Sequence, residues 1–261
     1  MLLGLVGLKI IKNNNVVAKN IKGKARPTMN GALKHIKELG FTPNTVLDVG
    51  AAIGTKPLLN NFPETNHFMI EALEEFIPKL EEVKIRMKNA DFLIAAVTSE
   101  NGPITINVHP DLVGSSIYLE DEDSSVNGIP REVPAYKLDE LCSKYQLKGP
   151  YLLKIDVQGA ELDVLKGAEK TLMNTEYVIL EIVFFDFFKG GPKFHQFIDF
   201  MKKRGFVVYD LFDPQYRPLD GAMSQIDIAF VKEDGIFRQQ HFYATKEQRE
   251  EQNKKLISSI K

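Results

Sequence analysis

Thr45-Val-Leu-Asp-Val-Gly-Ala-Ala-Ile-Gly54 is the stretch that decides the fold. Its apolar run, broken only by Asp48, reads as a strand buried on both faces. The strand enters a turn of small residues, and a helix can start near Thr55. Gly50, Ala51, Ala52 and Gly54 allow a ligand close to the backbone, and the amides of a helix start point toward it. In an open α/β sheet such a turn lies beyond the strands' carboxyl ends, where ligands bind.

The same grammar continues outward. Further β-rich runs are His67–Ile70, Phe92–Val97, Tyr151–Ile155, Tyr177–Val183, Phe206–Leu211 and Ile226–Val231. Between them lie helical stretches, including Glu74–Asn89 and Ala160–Leu172. In the latter, Leu162, Leu165, Ala168 and Leu172 share one face. Gly167 falls inside that stretch, where close packing would account for it. Upstream, Leu33, Ile36 and Leu39 mark a helix that Gly40 ends. Strand–helix–strand alternation predicts right-handed crossovers and a mostly parallel sheet, so the fold class is α/β. Pro103–His109 and Arg131–Tyr136 read as a short β excursion after the third strand. They flank an acidic Ser/Gly-rich loop, Glu120–Gly128. The expected organisation is an arm over residues 1–28, a main domain over 29–235 and a charged, helix-prone tail over 236–261.

Composition narrows the function classes. The 261 residues carry 33 Lys+Arg against 35 Asp+Glu, a formal charge of −2, with 44% apolar and 26% charged residues. That is a globular balance, with no basic stripe to attract nucleic acid. A single cysteine, Cys142, rules out an internal disulfide framework and fits a reducing compartment. Met1–Ile11 is apolar but too short to span a bilayer, and it lacks a secretory cleavage pattern. The expectation is a soluble cytoplasmic protein with at most weak peripheral membrane contact. Oligomeric state is not encoded in any feature of the composition.

The turn after the first strand does not suit a dinucleotide. A G-x-G-x-x-G fingerprint placed on Gly50 needs glycine at 52 and glycine or alanine at 55, and the chain has Ala52 and Thr55. Asp48, two residues ahead of Gly50, suits a cationic amino-acid ligand better than a pyrophosphate. Its carboxylate can orient the loop or, through water, an ammonium group. The next strand ends in Met69-Ile-Glu71, and an acid there can accept bonds from both hydroxyls of an adenosine ribose. NAD and S-adenosylmethionine both present that ribose. A third element, Leu153-Lys-Ile-Asp-Val-Gln-Gly-Ala-Glu161, again puts an acid, Asp156, at the carboxyl end of a buried strand.

At these residues the chain resembles the FkbM-type S-adenosylmethionine-dependent methyltransferases. The resemblance rests on Val46–Gly54, Ala95-Ala-Val-Thr-Ser-Glu-Asn-Gly102, Lys137-Leu-Asp-Glu-Leu141 and Leu153–Ala168. Later matches are Leu180-Glu-Ile182, Arg204-Gly-Phe206, Tyr209-Asp-Leu-Phe212 and Asp227-Ile-Ala-Phe-Val231. It covers about residues 30–232. The first motif is common to many methyltransferases, whereas the Ile155–Ala168 block is specific to this family. Ala52 departs from the asparagine often found there, which removes one polar contact to the cofactor. The resemblance implies a class I methyltransferase fold: a seven-stranded sheet with its last strand antiparallel. It implies O-methylation, often of sugars, glycolipids or natural products, with S-adenosyl-L-methionine as cofactor. By position, Asp48, Gly50, Ala51, Ala52 and Gly54 would line its methionine half, Glu71 its ribose, and Ala95 and Ala96 its adenine edge.

Transfer to a sugar hydroxyl needs alignment of the acceptor oxygen and a group to take its proton. The candidate bases are Asp156, Glu161 and Glu181, with His109 and His195 weaker. No histidine pair has metal-ligand spacing, so no metal is expected. Val183-Phe-Phe-Asp-Phe-Phe188 with Gly190-Gly-Pro192, and Gly114-Ser-Ser116, are candidate acceptor-side segments. The expected acceptor is a small molecule or glycan. A non-catalytic binding protein on the same fold, and an NAD-type oxidoreductase, are the competing readings.

Overall fold

A computed structural model describes residues 25–120 and 126–260. The expectations for the arm over residues 1–24 and for the acidic stretch 121–125 lie outside the described residues.

The elements run α1 (Met29–Glu38), β1 (Thr45–Val49), α2 (Lys56–Asn61), β2 (Asn66–Glu71), α3 (Ile77–Arg86), β3 (Ala90–Ile94), β4 (Ala96–Val97), β5 (Gly102–Val108) and β6 (Ile129–Tyr136). They continue α4 (Leu138–Lys144), β7 (Tyr151–Ile155), α5 (Glu161–Lys166), α6 (Glu169–Met173), β8 (Thr175–Val183), α7 (Phe194–Lys203), β9 (Phe206–Tyr216), β10 (Met223–Lys232) and α8 (Lys246–Ile260).

Seven strands form one sheet in the order β3-β2-β1-β7-β8-β10-β9, and β10 runs antiparallel to both neighbours. This is the class I methyltransferase architecture, including the antiparallel last strand. β1 is central, and every one of its five residues is buried. Alternate side chains feed two cores. Leu47 and Val49 pack with α4, α5, α6 and α7, while Val46 packs with Leu33 and Ile36 of α1 and Leu58 of α2. Helices on both faces explain why these strands read as continuous apolar runs.

The β excursion is a separate three-stranded sheet, β4-β6-β5, which with α3 builds a third core around Leu80, Val83, Ile106 and Val133. Two expectations need correction. Phe92–Val97 is not one strand: the chain leaves the large sheet at Ala95, whose amide donates to the Glu71 carbonyl (2.8 Å), and joins the small sheet at Ala96. Ala160–Leu172 is not one helix but α5 and α6, broken at Gly167 and Ala168. The Thr98 carbonyl lies 2.2 Å from where a Gly167 Cβ would sit, so packing sets this residue. Of the tail, α8 is exposed along its whole length. No helix among the described residues is long and apolar enough to cross a membrane.

Candidate functional site

A cavity of about 250 Å³ opens beyond the carboxyl ends of β1, β2 and β7. Its floor is the turn Gly50–Gly54. Gly50 has φ +73°, and a Cβ there would sit 1.7 Å from the Asp156 carbonyl oxygen. The β1 and β7 turns therefore touch backbone to backbone, and the floor carries only the side chains of Ala51, Ala52 and Ile53. Ala52 is held at φ +46°, a left-handed conformation that asparagine tolerates better than alanine. Its amide is fixed by donating to Glu71 Oε2 (2.8 Å).

Asp48 does not line the cavity. It lies beneath it, accepting from the backbone amide and the hydroxyl of Thr55, both at 3.0 Å. Of the two roles open to Asp48, this geometry is the loop-orienting one. Glu71 does line the cavity at 7% exposure, with Oε1 accepting from the Leu73 amide (3.0 Å). Burial holds its pKa above the ordinary value, and the amides of Leu73 and Ala52 offset this only in part. Ala95, Ala96, Phe76, Ile106 and Leu112 give the far wall an apolar surface, and Ser115 and Ser116 close one side.

Asp156 stands at the opposite rim, with its side chain 28% exposed. Below it, Lys154 is 5% exposed, with Nζ 3.0 Å from Asp156 Oδ2 and 3.8 Å from Asp48 Oδ1. Burial opposes charge on Asp156, but the Lys154 ammonium and donated hydrogen bonds outweigh it and hold this carboxyl below its ordinary value. Lys154 is itself held above its ordinary value: burial works against its charge, and Asp156 and Asp48 overcome it.

Glu181 and Glu161 lie behind this rim and do not line the cavity. Glu181 Oε1 accepts from Gln225 Nε2 (2.7 Å) and Oε2 from Gln158 Nε2 (2.9 Å). Burial, then the charges of Asp156 and Asp227, push it up to about 9. Glu161 is 2% exposed, and its Oε1 accepts from the amides of Val157 (3.0 Å) and Gly159 (3.1 Å). Burial raises it to about 7. Asp227, absent from the sequence-derived candidates, pairs with Glu181 across β10 and β8 and is raised by burial to about 7. An acid inside the apolar run Ile226–Val231 was the signal available for it. His109 sits near Asp111 on the excursion, and His195 lies on the outward part of α7; neither lines the cavity.

These acids predict a pH dependence of stability. Glu161, Glu181 and Asp227 bind protons more tightly folded than unfolded, so the native state carries more protons from about pH 5 to 9. Their stabilising contribution is complete below the unfolded carboxylate pKa and is lost as pH rises through the folded values. Urea unfolding at pH 5.5, 7 and 8.5 is expected to give a falling midpoint. A midpoint that rises over this range would contradict the burial assigned to the acids.

A model of the methyltransferase FkbM domain matches residues 48–208, more than half of the chain. The hexuronic acid methyltransferase AglP of Haloferax volcanii is 28% identical over 136 residues, covering 52% of this chain and 54% of that protein. The chain thus spans about half the length of that curated relative. The 2-O-methyltransferase NoeI of Sinorhizobium fredii is 25% identical over 172 residues, covering 60% and 70% respectively. Among solved structures, magnesium protoporphyrin IX methyltransferase from Synechocystis aligns with a TM-score of 0.45 at 12% identity, over 78% of this chain and 77% of that one.

Proposed function

We propose a function from one premise: the chain belongs to the FkbM methyltransferase domain family. On this reading it is an S-adenosylmethionine-dependent O-methyltransferase that modifies a hydroxyl of a sugar, glycolipid or small natural product. The observation that carries it is the cavity's composition: a floor built mostly of glycine and alanine between two acids, Glu71 and Asp156, with an apolar wall. The charged lining residues among those described are Glu71, Asp156 and Lys154, and Lys154 is already engaged by two carboxylates. That set suits a cationic, adenosine-bearing ligand and offers little to a diphosphate, which disfavours the oxidoreductase alternative.

In this reading Gly50, Ala51, Ala52 and Gly54 hold the amino-acid end of the cofactor, and Asp48 fixes their turn through Thr55. Glu71 takes the ribose, and Ala95 and Ala96 take the adenine. Bound there, S-adenosylmethionine supplies a methyl group on a positively charged sulfur. The chain's own task is to align the acceptor oxygen, exclude water and receive one proton; positioning of this kind is worth up to about 7–11 kcal/mol. Asp156 is the base, because it is ionised and stands at the cavity rim. Glu181 keeps its proton near neutral pH, and Glu161 is spent on loop amides, so both become supports of Asp156. The names of the two relatives, one for a hexuronic acid and one for 2-O-methylation, favour a sugar acceptor.

Calorimetric titration with S-adenosylhomocysteine tests the reading. Saturable binding is expected, and Glu71→Ala is expected to weaken it by about 1–3 kcal/mol through lost buried hydrogen bonds. Binding of NAD with no response to S-adenosylhomocysteine would refute the assignment.

A further inference from the structure

Gln158 occupies a place that the functional reading leaves unexplained. Its backbone is left-handed at φ +54°, a conformation that costs a non-glycine residue energy, so its neighbours must impose it. Three contacts do so. The Ser116 hydroxyl donates to the Gln158 carbonyl (2.6 Å). The amides on either side of it, from Val157 and Gly159, donate to Glu161 Oε1. The Phe188 ring lies against Gly159, 2.5 Å from where a Cβ would be. The turn is thereby gripped from the excursion, from α5 and from the segment after β8.

This grip delivers the side chain to a single spot. Gln158 Nε2 is 2.9 Å from Asp156 Oδ1 and 2.9 Å from Glu181 Oε2. A carboxamide nitrogen carries two hydrogens, one for each acid, and it does not ionise. Asparagine lacks the reach, glutamate would add a further negative charge, and lysine would duplicate the buried ammonium of Lys154.

We propose that Gln158 is a positioning residue that holds the Asp156 and Glu181 carboxyls as one unit, with Ser116 as the anchor of its turn. Its use in catalysis rests on the methyltransferase reading; the clamp itself does not. The charged or titratable groups around the pair are Lys154 of β7, Asp48 of β1, Glu161 of α5, Asp227 of β10 and, beyond it, Asp213 of β9. Gln215 and Gln225 also donate to Glu181 but not to Asp156; the two carboxyls also hydrogen-bond each other directly, and Gln158 braces that contact by donating to both.

The test is a carboxyl carbon NMR titration of the whole chain labelled at Asp and Glu side-chain carboxyls, with Asp156→Asn to assign the Asp156 signal. Gln158→Met keeps the length and removes the donor. It is expected to move the Asp156 midpoint upward by about one unit, because a donor that favours the ionised form is gone. Ser116→Ala is expected to move it the same way by less, and serves if the Met variant does not fold. Midpoints unmoved in these variants overturn the proposal. Gln158 also lines the cavity, so unmoved midpoints with S-adenosylhomocysteine affinity lost in Gln158→Met would overturn the clamp and leave it a ligand-contact role alone. Wild-type protein that fails to bind S-adenosylhomocysteine would defeat the functional reading, while the titration would still decide the clamp.

Discussion

Asp156→Asn is expected to lower turnover by about 10²–10⁴-fold, the range a positioned general base supplies. The measurement is incorporation of labelled methyl from S-adenosylmethionine into a sugar acceptor. Affinity for S-adenosylhomocysteine is expected to change by less than about tenfold, because the Gly50 turn and Glu71 remain. The contrast with Glu181→Gln makes the result diagnostic. Glu181 already carries its proton near neutral pH, being pushed to about 9 by burial and the adjoining acids. Glutamine mimics that protonated form, so its cost at pH 7 is expected to stay within about tenfold. Equal losses in the two variants would mean that the pair acts through shape rather than through proton transfer by Asp156.

Gly50→Ala is the second large effect. The added Cβ would need φ near +73° and would meet the Asp156 carbonyl at 1.7 Å, well inside any tolerable contact. Neither obstruction is a flexible side-chain end; both belong to backbone held by the β1–β7 pairing, in which Val49 lies opposite Ile155. The expected outcome is a destabilisation above about 2 kcal/mol and loss of detectable S-adenosylhomocysteine binding. For a chain of this size that is roughly a 5 °C fall in the melting midpoint. Gly40→Ala is the control: Gly40 has φ +91° but open space around its Cβ position, so it reports the conformational cost without the clash. Equal effects at the two sites would remove the argument for backbone contact between the β1 and β7 turns.

What could be read in the chain was local. A buried strand, a turn of small residues and an acid at the next strand's end are written in contiguous letters, and the sheet, the cavity floor and Glu71 follow from them. Glu161 was also visible as an acid in the right block, but its partners, the amides of Val157 and Gly159, are backbone groups that no residue pattern announces. Asp227 escaped because its significance arises from pairing with Glu181, and that register depends on β10 reversing direction beside β8. The break in Ala160–Leu172 was likewise set from outside, by a carbonyl of Thr98 arriving from the small sheet. Gln158 stood in the quoted motif without a role, because its two acids come together only once β7 and β8 lie side by side.

The reversal of β10 separates two halves of the rim. Parallel strands bring their ends to it, whereas β10 brings its beginning, directly after the hairpin turn from Arg217 to Ala222. Arg217 stacks on Phe185 (3.7 Å), and Gln215 and Gln225 flank that turn while donating to Glu181. Lengthening or shortening this hairpin therefore changes the surroundings of Glu181 and leaves the registers of β1, β2 and β7 untouched. The β9–β10 hairpin beside Glu181 and the turns that form the cavity floor thus sit on separately mutable parts of one framework.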